Sequence, residues 1–137
     1  MNMQNAFQNL NWLAIIVAAV SAFLLGFIWY SLLFQKRWMK ENNFTEESMK
    51  GANMLKIFGF SFLLMLFASF NLAMFIGKNA GASFGTMAGF LAGFGWVFTF
   101  MGVTYLFERK SLALFLINGS YSVVSLTLMG LIIGVWQ

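Results

Sequence analysis

The chain is 137 residues long, 61% hydrophobic and only 9% charged, with a formal net charge of +4. So short a chain has too little interior to bury that much apolar surface in water, which excludes an ordinary soluble domain and points to an all-α membrane protein. With no Cys and no His, and with Glu41, Glu46, Glu47 and Glu108 as its only acids, it lacks thiolate chemistry, Ser-His-Asp arrangements and most metal-ligand sets, so neither an enzyme nor a metal or cofactor is expected. The small basic excess forms no stripe and no basic helix, so nucleic acid is not an expected partner.

A hydrocarbon core of roughly 30 Å takes about 20 apolar residues of helix. Residues 1–10 carry no Lys or Arg, and the apolar run that follows is too long for a signal-peptide core, so the first run reads as a retained span. It covers about Asn11 to Phe34. The second helix is expected over 45–77, with its membrane part from Asn53 to Gly77. The third span runs from Phe84 to Phe107 and the fourth from Leu112 to Trp136. Uninterrupted apolar runs without alternation favour helices over barrel strands, and the absence of Pro predicts no proline kink. The 137 residues thus read as a single four-helix transmembrane domain. Between the first two spans, Asn43 and Glu46 have the spacing of a capping box for a helix starting near Thr45.

Short second and third loops make consecutive spans antiparallel neighbours. Lys36, Arg37, Lys40, Lys50, Lys56, Arg109 and Lys110 then share one side, against Lys78 alone on the other. The positive-inside rule puts the first side in the cytoplasm and both termini outside. Trp12, Trp38 and Trp136 fall at interfacial anchor positions.

The stretch from Phe23 to Tyr30 (FLLGFIWY) returns sixty-seven residues on, from Phe90 to Val97 (FLAGFGWV). The two halves therefore read as parallel-repeat helical hairpins. Small residues recur every fourth place: Ala14, Ala18, Ala22 and Gly26 on the first span; Gly85, Gly89 and Gly93 on the third; Gly130 and Gly134 on the fourth. Residues four apart share a helix face, and in lipid close packing of such faces drives association. The faces serve either packing within one chain or a homo-oligomer. Polar residues inside the spans are Asn71, Thr99, Tyr105, Asn118, Tyr121, Ser122 and Ser125, read either as the lining of a small cavity between the third and fourth spans or as interhelical hydrogen bonding. No ionisable carboxylate falls in a span, which argues against proton-coupled transport.

The segment Gly26-Phe27-Ile28-Trp29-Tyr30-Ser31-Leu32-Leu33-Phe34-Gln35-Lys36-Arg37-Trp38-Met39, with Asn11-Trp12 ahead of it, resembles the signature of a bacterial family known only as domain of unknown function 1761. Trp29, Tyr30 and Trp38 carry the resemblance; Leu32 stands where the family usually has Pro, and Gln35 where it has Gly. The resemblance implies a small four-helix integral membrane protein and brings no activity with it. Of the functions open to such a chain, the sequence favours a non-enzymatic binding or assembly protein, holding membrane lipid, a small apolar ligand or a protein partner. A small transporter or oligomeric pore without a proton-coupling carboxylate is the alternative.

Overall fold

A computed structural model describes residues 2–137. Seven helices follow one another: α1 (Met3–Gln8), α2 (Trp12–Leu33), α3 (Gln35–Glu41), α4 (Glu46–Lys50), α5 (Met54–Ile76), α6 (Gly81–Phe107) and α7 (Leu112–Trp136). Four of them, α2, α5, α6 and α7, are long and apolar enough to cross a membrane. In hydrocarbon each backbone N–H and C=O must find its partner within the helix, so apolar runs of this length have no alternative but to coil. Polar caps fix where they start. The side chains of Asn11, Asn53 and Ser111 each accept a hydrogen bond from the backbone N–H three residues on, at 3.1 Å. Left-handed Asn43 (φ 57°) and Arg109 (φ 57°) close α3 and α6.

Two boundaries differ from the sequence reading. The second helix does not run unbroken from 45: α4 ends at Lys50 and α5 restarts at Met54. Gly51 is a weak helix former, and Asn53, extended at ψ 92°, spends its side chain on capping the new helix. The capping box in this loop belongs to Thr45 and Ser48, each side chain accepting from the other's backbone N–H. Asn43, at its αL angle, is instead the end of α3. The third helix also starts earlier than Phe84, at Gly81, whose φ of +85° turns the chain into it.

The fourth span is the hub. α7 touches α2, α5 and α6, whereas α6 makes no comparable contact with α2. The buried core lies between α2, α5 and α7, where Ile15, Ala18 and Ala22 meet Leu72, Ala73, Ile76, Met129 and Ile133, with Ala88 of α6 at its edge. The end that carries both termini is clasped by polar bonds. Gln137 Nε2 donates to the Ala73 carbonyl at 2.8 Å, and Asn11 Nδ2 donates to the Trp136 carbonyl at 3.0 Å. Toward the opposite end α5 and α6 expose long apolar faces, among them Phe60, Leu64 and Phe67 on one helix and Trp96, Phe100 and Phe107 on the other.

The glycines of α6 lie on α7. A Cβ at Gly85 would strike the Gly130 carbonyl oxygen, one at Gly89 the Leu126 carbonyl oxygen, and one at Gly93 would come within 2.8 Å of Val123 Cα. Gly130 and Gly134 meet the Gly85 and Gly81 backbones in return. Here two backbones touch directly, with no side chains between them. On α2 the small face turns to the core instead. Ala14, Ala18 and Ala22 are fully buried, and Gly26 faces the Tyr121 hydroxyl.

Candidate functional site

The repeated stretches share a geometry that the sequence did not disclose. Within α2, residues Ile28–Leu33 form a π-helical segment; within α6, residues Gly93–Phe98 form another. The segment in α2 ends with the Phe34 N–H donating to the Trp29 carbonyl at 2.9 Å, five residues back. A π turn widens the helix by one residue and re-aims the side chains it carries, and such segments concentrate at functional sites. Each begins at or just after the glycine common to the two stretches, Gly26 and Gly93. A recurrent glycine was the one available signal.

The segment in α2 turns Trp29 and Tyr30 toward α7. Trp29 Nε1 donates to the Ile117 carbonyl at 2.9 Å. The Tyr30 hydroxyl donates to Asn118 Oδ1 at 2.7 Å, and Asn118 Nδ2 donates to the Tyr105 hydroxyl at 2.8 Å. One carboxamide thereby ties α2, α6 and α7 together, using its acceptor for one neighbour and its donor for the other. A turn further along α7, the Tyr121 hydroxyl donates to the Ala22 carbonyl at 2.9 Å. Aromatic rings fill the rest. Tyr30 lies edge-on to Trp38 at 5.7 Å between centroids and to Tyr121 at 5.2 Å; Trp29 packs on Phe34 at 5.1 Å; Trp38 packs on Phe44 at 5.3 Å. Trp29, Tyr30 and Trp38 are thus gathered into one half-buried cluster, which holds α3 beneath the bundle.

A charged pair borders the cluster. Arg37 Nε lies 2.8 Å from Glu41 Oε1. The Ser111 hydroxyl at the start of α7, and then the Arg37 guanidinium, hold the Glu41 carboxyl below its ordinary range. The contact joins the end of α3 to the N-terminus of α7, where a negative charge is favoured by the helix dipole.

The candidate cavity residues do not converge. Tyr105, Asn118 and Tyr121 belong to the cluster just described. Ser122 Oγ donates to the Asn118 carbonyl of its own helix at 3.1 Å. Thr99 is exposed on α6 and donates back to Gly95 at 2.8 Å. Asn71 is exposed on α5 and donates back to Phe67 at 2.8 Å. Ser125 is buried with no hydrogen-bond partner among the described residues. Two surface depressions lie elsewhere: one of about 420 Å³ lined by Ala82, Ser83, Thr86, Met87, Phe90 and Thr127, and one of about 210 Å³ between α1 and the end of α5. Backbone bonding explains the scatter, because a hydroxyl four residues above a carbonyl can satisfy itself on any face of a helix.

A family described as "Protein of unknown function (DUF1761)" matches residues 13–134, which include every residue of the aromatic cluster. No curated protein and no solved structure matches the chain.

Proposed function

The chain belongs to the DUF1761 family, and from its geometry we propose that it is a non-enzymatic assembly or binding protein of the bacterial cytoplasmic membrane. The observation that carries this reading is the Tyr30–Asn118–Tyr105 bridge. The Asn118 carboxamide and the Tyr30 and Tyr105 hydroxyls are engaged in joining α2, α6 and α7, which favours a rigid block acting through its outer surface. A transported solute would need such groups free along a path. The hydroxyls of Thr99, Ser122 and Thr127 donate to carbonyls of their own helices, an arrangement suited to packing rather than to nucleophilic catalysis. Seven of the eight cations stand at the end with α3, α4 and the α6–α7 turn. That end is cytoplasmic in this reading, and both termini face outside.

The test is paired. Purified protein is reconstituted into liposomes for efflux of small ions and dyes, and a parallel sample is released from membrane for native mass spectrometry. Solute-tight vesicles together with a defined oligomer, or a retained lipid or protein, are the expected result. Efflux above that of empty vesicles, abolished by Asn118→Leu, would replace the assembly reading with that of a transporter or pore.

A further inference from the structure

Two carboxamides lie inside the four spans, Asn118 on α7 and Asn71 on α5. Each stands about 8 Å from the end of its helix at 1.5 Å per residue, one beyond Leu112 and the other short of Ile76. At that depth Asn118 is bonded to other helices at both its oxygen and its nitrogen. Asn71 is not. Its Nδ2 donates to the Phe67 carbonyl of its own helix, and among the described residues nothing meets its oxygen. A hydroxyl has one proton to place and can spend it on its own helix, but a carboxamide has two N–H bonds and an acceptor. Asn71 therefore keeps unmet donor and acceptor capacity on an exposed face, where lipid offers neither.

The face around it is regular. Ser69, Leu72, Ala73 and Ile76 turn α5 to the core, and Asn71 sits about 200° round the helix from Ser69 at 100° per residue. Ile57, Phe60, Leu64, Phe67 and Phe75 share that outward side, at 47%, 61%, 70%, 66% and 59% exposure. Positions 57, 60, 64, 67 and 71 alternate steps of three and four, the spacing of a seam between paired helices, and Asn71 takes the place at which one polar residue fixes register.

We propose that this side of α5 docks a second copy of the chain, with the two Asn71 carboxamides bonding each other across a two-fold axis along the membrane normal. The occupant follows from the chemistry: a carboxamide is complementary to another carboxamide, so an isologous contact satisfies both at once. The seam between Ile57 and Phe75 holds no charge that would select a different partner. The inference rests on the assembly reading and assigns that assembly's contact to α5, separate from the glycine faces, which α6 and α7 use on each other.

The chain has no native Cys, so Leu64→Cys, Phe67→Cys and, on α6, Phe100→Cys report proximity cleanly when oxidised in proteoliposomes. We expect disulfide-linked dimers from the two α5 positions and none from Phe100→Cys. Adding Asn71→Leu should weaken association roughly three- to twentyfold, while Asn71→Gln keeps part of it. Asn71→Leu puts an apolar side chain on an apolar surface, and an unchanged melting temperature confirms that the fold survives. Crosslinking unaffected by Asn71→Leu, or equally strong through Phe100→Cys, would overturn the pairing. So would the absence of crosslinks in solute-tight vesicles, although the assembly reading would then stand with another partner. Crosslinks on α5 in vesicles that leak solute would keep the pairing and overturn the assembly reading alone.

Discussion

Ser69 and Ser125 are both buried, at 0% and 3% exposure, yet their hydroxyls are treated differently. Ser69 Oγ donates to the Ile15 carbonyl at 2.8 Å and joins α5 to α2, whereas Ser125 Oγ has no partner among the described residues. Removing the first hydroxyl loses an interhelical bond; removing the second relieves an unmet polar group. Ser69→Ala is therefore expected to cost about 1 kcal/mol and Ser125→Ala to be neutral or mildly stabilising, read as unfolding midpoints in detergent. Equal losses from both would contradict the hydrogen-bond account. Glu41 supplies a residue-scale pH dependence. Its folded-state pKa is lowered, first by the Ser111 hydroxyl and then by Arg37, so the ionised form is the one that the fold favours. The α3–α7 contact is at full strength above the ordinary carboxylate range and is lost as pH falls through the depressed value. Acid below the ordinary carboxylate range should loosen α3, seen as faster proteolysis by an acid-active protease between Gln35 and Asn53, and Glu41→Gln should make that loosening independent of pH.

Glycines of one residue type do opposite things within these helices. On α6, Gly89 lies against the Leu126 backbone, which has nowhere to retreat, while Gly59 on α5 has open space where its Cβ would be. Gly89→Ala should therefore force α6 and α7 apart and cost several kcal/mol (~2–4) as an overpacked contact. Gly59→Ala should gain up to about 1 kcal/mol of helix propensity. Unfolding of both variants in mixed detergent checks the pair, and a tolerated Gly89→Ala would sink the close-contact account. The four-residue spacing of Gly85, Gly89 and Gly93 was visible in the sequence, because a shared face depends only on helical period. The π segments were not. Nothing in Ile28–Leu33 prescribes a wider turn; the bonds from Trp29 and Tyr30 to α7 supply the reason, and they are tertiary. The Gly51–Asn53 break was hidden for a local reason, since Asn53 reads equally well as a loop residue or as a helix start.

Across the whole molecule, the four spans were legible because bilayer thickness and backbone satisfaction dictate them almost alone. Which helix sits at the centre was not. In lipid, a side chain turned to a neighbouring helix and one turned to acyl chains are equally apolar, so hydrophobic pattern does not separate the core face of α5 from its outer face. The polar residues misled for a related reason: Thr99 and Asn71 look like cavity lining in the sequence, but their side chains donate to their own helices on exposed faces. The central place of α7 has a consequence for how the protein is made. Ribosomes deliver the spans in order, so α2, α5 and α6 enter the bilayer before the helix that joins them exists. During that interval the carbonyls of Gly81 and Gly85 border lipid instead of the α7 backbone, and α6 has almost nothing to hold it. A pause in translation between Ser111 and Trp136 would leave a three-span nascent chain open to membrane quality control, so timing of synthesis bears on yield as directly as stability of the finished bundle does.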